Sequence, residues 1–175
     1  SQNFSPDRSR TLIFARRDIE TAVIPSNIKK IGDSAFESCV KLKSVTFEKP
    51  AVSYSKSSEF ELEAIGDEAF SNCKVLENLG PIPSFVKRIG KFSFANCAKL
   101  KFLRFEENSN LMSIACGAFS HSSIIEVTLP PKLECLEKGW CQSSNSLIRI
   151  NLSKSNENFE YINNQFLVKK FELAD

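Results

Sequence analysis

Six cysteines and a single histidine are the residues of this chain with the most chemistry to offer. Cysteines in close pairs would bind zinc or form a disulfide, and a thiol or hydroxyl beside an imidazole would make a nucleophile. Neither arrangement is written here. No Cys-x-x-Cys occurs, and His121 alone would have to serve any catalytic triad or metal set. His121 stands in a Ser-rich turn, His121-Ser122-Ser123, where an exposed imidazole is expected. Adjacent acids such as Glu106 and Glu107 read as a solvated loop. There is no phosphate-binding Gly loop, no dinucleotide fingerprint and no His-Glu-x-x-His. The expectation is a chain that is not an enzyme and carries no metal or cofactor. Asn3-Phe4-Ser5 and Asn151-Leu152-Ser153 match the glycan acceptor triplet, about as often as chance gives in so Asn- and Ser-rich a chain.

The spacing of three cysteines leads to the elements that must position them. Cys39, Cys73 and Cys97 each follow a phenylalanine by three residues: Phe36, Phe70 and Phe94. Those phenylalanines belong to a phrase that recurs from Ile24 to Phe47, Leu62 to Leu79 and Ile82 to Phe105, then more loosely from Leu111 to Leu129 and Leu133 to Leu152. Aligned on Phe36, Phe70, Phe94, Phe119 and Trp140, the copies step by 34, 24, 25 and 21 residues by subtraction. The first step is long because residues 48–61 are an insertion. An aliphatic column runs through Ile31, Ile65, Ile89, Ile114 and Leu136, and small residues (Ala35, Ala69, Ser93, Ala118, Gly139) precede the aromatic.

One copy cannot cover its own apolar face, so copies must stack into a solenoid whose core is a set of ladders. Each copy opens with Ile-Gly-Asp-Ser-Ala-Phe, where Gly32 suggests a tight turn and Asp33 and Ser34 suggest the cap of a short helical turn. It closes with Leu-x-x-Val-x-Phe, whose last positions alternate as a strand does. Ile19, Ala22 and Ile24 form an incomplete early copy. Pairs such as Ile28 with Ile31, or Val86 with Ile89, mark a second short extended segment. Every unit enters in the same direction, so the sheet must be parallel. The cysteine column then reads as a ladder of buried free thiols, since residues in register point the same way and converge poorly for a disulfide. Cys116 could pair with Cys135 or Cys141, and the sequence leaves that open.

The phrase resembles the BspA-like class of leucine-rich repeats, L-x-x-[VI]-x-[IL]-P-x-x-[VI]-x-x-I-G-x-x-A-F-x-x-C, matched best by Leu42 to Phe47, Ile24 to Cys39 and Ile82 to Cys97. The resemblance covers roughly Ile19 to Leu152, and it weakens where Cys116, Glu137 and Trp140 replace Asp, Gly and Phe. It implies an α/β-type repeat solenoid: a parallel sheet on the concave face, with short helical turns or irregular segments on the other side. Members are typically surface or secreted proteins of anaerobic bacteria and parasitic protists. The resemblance therefore implies a surface-antigen type of chain that adheres to a protein partner, such as host extracellular matrix or a cell-surface protein. The alternative is an intracellular, cytoplasmic scaffold or adaptor of the same fold.

On this reading residues 1–18 are an N-terminal flank or partial repeat, 19–152 the repeats and 153–175 a C-terminal cap or junction. The sequence favours junctions of a longer array over caps. Residues 158–173, with Asn163-Asn164 between two apolar runs, suggest a hairpin. The start, SQNFSPDRSR, lacks the apolar stretch of a signal peptide, and no run of about 18 apolar residues would span a membrane. The net charge is +2, and Lys29-Lys30 and Lys87-Arg88 are separated by Glu63-Ala64 in the middle copy. A nucleic-acid stripe would need like charge on successive rungs, so nucleic acid is not the expected partner.

Binding falls instead on the outward residues of the closing strands, which form two columns. One is Ser44, Asn78, Phe102, Glu126 and Arg149; the other is Thr46, Gly80, Arg104, Thr128 and Asn151. Phe102 beside Arg104 has the composition of an interface anchor, although single exposed apolar residues are ordinary. Tyr54 and Phe60 in the insertion could add contact area, against the plainer reading of a tolerated surface bulge.

Overall fold

The computed structural model describes residues 10–49, 62–163 and 165–170. The insertion beyond Lys49 with Tyr54 and Phe60, and the Asn3 triplet, lie outside the described residues. Among the described residues fourteen short strands follow one another. They are β1 (Arg10–Leu12), β2 (Thr21–Ile24), β3 (Ile28–Ile31), β4 (Ser44–Phe47), β5 (Ala64–Ile65), β6 (Asn78–Leu79) and β7 (Arg88–Ile89). Then come β8 (Phe102–Leu103), β9 (Ser113–Ile114), β10 (Glu126–Leu129), β11 (Cys135–Leu136), β12 (Arg149–Leu152), β13 (Phe159–Ile162) and β14 (Phe166–Lys169).

Each copy gives one strand to each of two parallel arrays. The opening strands form a continuous six-stranded sheet, β1-β3-β5-β7-β9-β11. Its register places Ile31 beside Ile65, Ile65 beside Ile89, Ile89 beside Ile114 and Ile114 beside Leu136, the aliphatic column read from the sequence. The closing strands form two three-stranded sheets, β2-β4-β6 and β8-β10-β12. The second extended segment is thus the more continuous of the two.

The closing sheet is interrupted for a local reason. Val45 pairs with Leu79, and Ile82 bridges Phe105. Thr46 alone separates Val45 from Phe47, whereas Gly80 and Pro81 separate Leu79 from Ile82. The extra residue shifts the register, and Pro81 has no N–H to give to a ladder.

Between the two strands of a copy lies a turn, and here the expected helical turns are corrected. No helix occurs among the described residues. Ser34, Phe36 and Ser38 donate their N–H groups across to the carbonyls of Asp67, Ala69 and Ser71 on the next rung, at 2.9, 2.7 and 2.8 Å. Ala35, Glu37 and Cys39 reach back three residues instead. A helix would need every N–H to turn back four residues, with no left-handed backbone. Ser34 and Ser38 have φ of 55° and 56°, and Glu68 and Asn72 repeat them at 55° and 61°. Each turn is therefore bonded to its neighbours rather than to itself.

Asp33 also works between rungs rather than as a helix cap. Its Oδ1 accepts the Asp67 N–H at 3.1 Å, and Asp67 Oδ1 accepts that of Lys91 at 2.8 Å. The role of Gly32, Gly66 and Gly90 changes likewise, since none has a left-handed φ. A Cβ on Gly66 would lie 2.7 Å from Asp33 N and 2.8 Å from Gly32 C. Glycine is required by the closeness of the rungs.

The core is the expected ladder. Phe36, Phe70, Phe94 and Phe119 are buried and stack with centroids 4.7, 5.0 and 5.3 Å apart and interplanar angles of 13°, 8° and 3°. These distances track the strand spacing of about 4.8 Å. Trp140 ends the series edge-on, at 6.2 Å and 82° from Phe119.

The flanking segments that the structure describes pack against the first and last copies. Arg17 donates to Ala35 O at 3.2 Å and Ser34 O at 3.4 Å, with its guanidinium 4.6 Å over the Phe14 ring. At the other end β13 and β14 form an antiparallel hairpin, as the sequence suggests. Phe159 enters the core there, and the Tyr161 hydroxyl donates to Ile150 O.

Candidate functional site

A strand that buries alternate residues must present the others, and the closing strands do so in register. Ser44 pairs with Asn78, Phe102 with Glu126, and Glu126 with Arg149; Thr128 pairs with Asn151. Thr46, Asn78, Phe102, Arg104, Thr128 and Arg149 are exposed, while Ser44, Gly80, Glu126 and Asn151 are partly covered. Beneath them Val45, Leu103, Val127 and Leu129 are buried. The two columns thus share one face, divided between Asn78 and Phe102 by the interruption at Gly80-Pro81.

Phe102 is 52% exposed, and the Arg104 guanidinium lies 5.4 Å from its ring centroid. Sequence spacing of two on a strand brings the pair together, and the ring face attracts the cation. Below Arg104, a cleft of about 540 Å³ is lined by Arg104, Thr128, Pro130, Ser153 and Ser155, among others. Elsewhere on the face, Glu126 lies 3.6 Å from Arg149 and accepts the Asn151 side-chain amide at 2.6 Å. That amide is engaged within the sheet, which makes Asn151 a poor glycan acceptor.

Cysteine chemistry resolves into structure. Cys73 donates its thiol hydrogen to Phe36 O at 3.1 Å, and Cys97 to Phe70 O at 3.3 Å. Ser144 Oγ takes the same place later, donating to Phe119 O at 2.7 Å. The column is thus a donor to the carbonyl of the preceding aromatic. Burial, with the neighbouring thiol Cys39, pushes Cys73 up to about 12. Burial first, then Cys73, pushes Cys97 well up also. These thiols stay protonated and unreactive. Cys116, Cys135 and Cys141 are all unbridged.

His121 is exposed on a left-handed turn at φ 53° and lines a shallow cleft of about 360 Å³ with Glu68, Phe92 and Gln142. Among the described residues, no three His, Cys, Asp or Glu side chains gather as a metal site. No helix among them is long and apolar enough to cross a membrane. On the six-stranded sheet, Lys87 Nζ lies 3.2 Å from Glu63, so charge alternates between rungs there.

Two features escaped the sequence reading. Glu48 and Glu106 accept the backbone N–H groups of Ser26 and Ser84 at 3.1 and 3.0 Å, tying each Ile-Pro-Ser corner to the rung above. The matching 22-residue offset (48 − 26 and 106 − 84) is the signal that could have revealed them. Glu106 is therefore not merely solvated. Arg17 as a cover for the turn ladder had no repeated counterpart to betray it.

The geometry has known counterparts. The family described as the BspA type leucine-rich repeat region matches residues 10–61 and 54–169 in six copies. No curated protein matches the chain. Among solved structures, the pneumococcal vaccine antigen PcpA is similar at 29% identity with a TM-score of 0.74, over 86% of this chain and 34% of that one. A leucine-rich repeat protein from Bacteroides ovatus is similar at 27% identity and 0.61, over 75% and 33%. The T. pallidum leucine-rich repeat protein shares the fold at 19% identity and 0.63, over 75% and 69%. The chain spans about a third of the length of the first two.

Proposed function

Because the chain belongs to the BspA-type leucine-rich repeat family, we propose that it is a non-enzymatic protein-recognition module of a surface or secreted protein, adhering through the face of its closing strands. The observation that carries this reading is the exposed pair Phe102 and Arg104, with the guanidinium 5.4 Å from the ring centroid. An aromatic and an arginine at the centre of a patch are the residue types in which interface anchors are enriched. Ser44, Thr46, Asn78, Glu126, Thr128, Arg149 and Asn151 supply polar surroundings. The pneumococcal antigen supports surface exposure, and its similarity extends over most of this chain.

Host extracellular matrix or a cell-surface protein is the proposed partner class. Parallel pull-downs from matrix and from cytosol test the location of that partner. Against a ligand so identified, Phe102→Ala or Arg104→Glu is expected to weaken binding at least about tenfold with the fold intact. Unchanged affinity in both variants refutes the sheet-face assignment. A second reading, an intracellular scaffold, draws on the six unbridged cysteines. Six titratable thiols on natively purified, denatured protein would favour it, and fewer would favour the secreted form.

A further inference from the structure

The turns carry an exposed aromatic of their own, Phe92. Each turn lies between the opening and the closing strand of its copy, whereas the insertion follows a closing strand. Bonds between rungs align the turns residue by residue. Ser34, Glu68, Phe92 and Gly117 fall in one column, and Ser38, Asn72, Asn96 and His121 in another. All eight have a left-handed φ, between 51° and 66°. Between the columns stand Ser71, Ala95 and Ser120, small and buried. The repeat thus leaves a trough along the turn stack, about 360 Å³ in volume, with those small residues as its floor. Glu68 and Phe92 line it from the first column, Asn96 and His121 from the second, and Gln142 from the last turn.

Phe92 is 44% exposed for a structural reason. A Cβ on Gly117 would collide with Cδ1 and Cε1 of its ring and lie 3.1 Å from Cζ. The ring leans into the room that the glycine leaves, and its open surface lines the trough. Asn96 Nδ2 donates to Asn72 Oδ1 at 3.0 Å, and Asn72 Nδ2 to Ser71 Oγ at 3.4 Å. That chain orients the Asn96 amide and leaves its Oδ1 as an acceptor. His121 and Gln142 are exposed, and of these side chains only Glu68 is charged at neutral pH. Backbone groups offer little. The N–H groups of Phe92, Ala95, Asn96 and His121 already donate to the carbonyls of Cys116, Phe92, Ser120 and Gln142. A peptide strand therefore finds no ladder to join here, and recognition falls to the side chains.

We propose that this trough binds a neutral glycan, with one pyranose ring against Phe92 and its hydroxyls on Glu68, Asn96, His121 and Gln142. A pyranose has a face of C–H groups, which packs on an aromatic ring, and a rim of hydroxyls, each both donor and acceptor. Amide, carboxylate and imidazole side chains supply both donors and acceptors to such a rim. With Glu68 charged and no lysine or arginine lining the trough, an anionic sugar is disfavoured. The rung spacing of about 4.8 Å sets successive side chains roughly one sugar ring apart. The volume lies within the range of about 300–1,000 Å³ that small-ligand sites occupy. This site goes beyond the sheet-face reading and does not depend on Phe102 and Arg104.

NMR titration with cellobiose and with lactose, followed on the protein's amide signals, tests it. At least one disaccharide is expected to bind and to shift the signals of Asn96, Ser120 and His121. Phe92→Ser puts into the column the residue that Ser34 already is at a like φ. It is expected to weaken binding at least about fivefold. Gly117→Ala keeps Phe92 but takes the ring's place, and should weaken binding at least about threefold. His121→Ser, matching Ser38, should cost at least about twofold. Phe102→Ala with Arg104→Glu should change nothing. Failure of both disaccharides to bind overturns the proposal, as does binding that Phe92→Ser and Gly117→Ala leave intact. Loss in the sheet-face variant would move the sugar to that face and overturn the trough, while leaving the recognition module standing. Tetralysine that binds at the same signals more tightly than either sugar would assign the trough to a basic peptide and overturn the proposal equally. Retention on an immobilised β-glucan would point to a polysaccharide source. Retention on a desialylated glycoprotein, lost with its glycans, would point to a protein-borne one, and both support the proposal.

Discussion

Adding one methyl group at Gly66 should separate the rungs. The Cβ of Gly66→Ala would sit 2.7 Å from Asp33 N, 2.8 Å from Gly32 C and 2.3 Å from Asp33 Oδ1. Ordinary contact begins near 3.4 Å, so the two backbones must part by about 0.7 Å, the difference between 3.4 and 2.7. Three bonds cross that gap: Ser34 N–H to Asp67 O at 2.9 Å, Gly66 N–H to Ile31 O at 2.8 Å and Asp67 N–H to Asp33 Oδ1 at 3.1 Å. Overpacking costs about 1–3 kcal/mol, and each weakened bond adds up to about 1 kcal/mol. A loss of about 3 kcal/mol follows, or a fall in Tm of roughly 6–12 °C for a chain of this size. Gly80→Ala is the internal control, because its Cβ would meet nothing nearer than 3.5 Å and Gly80 has no left-handed φ. It should be neutral or stabilise by up to about 1 kcal/mol. Urea titration followed by circular dichroism measures both. Equal stabilities for the two variants would refute the claim that the glycine column exists because the rungs are close.

Ser93 occupies the small-residue column, fully buried, and its Oγ has no hydrogen-bond partner among the described residues. Ser93→Ala should therefore raise stability by about 1–2 kcal/mol, read as a higher midpoint in thermal unfolding; a lower midpoint would mean that the hydroxyl is satisfied. The raised Cys73 thiol gives a pH signature with a definite sign. It holds its proton to about 12 in the fold and releases it near 9 when unfolded. Its contribution is thus fully present below about pH 9 and is lost as pH rises towards 12. Stability should decline across that window, and Cys73→Ala should flatten the decline. Equal slopes for the two proteins would remove the thiol from the explanation.

Much of the fold was legible because the chain repeats itself. Phe36, Phe70 and Phe94 could be aligned before any coordinates, and alignment in sequence becomes stacking in space when every copy follows one path. The outward columns were legible for the same reason, since alternation on Ser44 to Phe47 fixes which side chains leave the core. What could not be read was how the turns bond. Asp33-Ser34-Ala35-Phe36 carries the residue types of a helix start, and local propensity favours that outcome. The neighbouring rung offers each second N–H a better-placed carbonyl, so tertiary bonding overrides the local preference. The extra residue at Gly80-Pro81 was visible as letters, but its effect depends on the register of a partner strand. Phe102 and Arg104 were legible as a pair.

The interruption at Gly80-Pro81 cuts one of the two arrays and leaves the other whole, since β5 and β7 remain paired on the far side. The stack is bound like a book, with an unbroken spine along the opening strands and a slit halfway down the opposite edge. Just past the slit a stitch rejoins the pages: Ile82 donates to Arg104 O at 2.8 Å and accepts from Glu106 N–H at 2.9 Å. The surface from Asn78 on one leaf to Phe102 on the other is thus notched but tied, and a partner lying across it meets a fixed groove rather than a flat sheet.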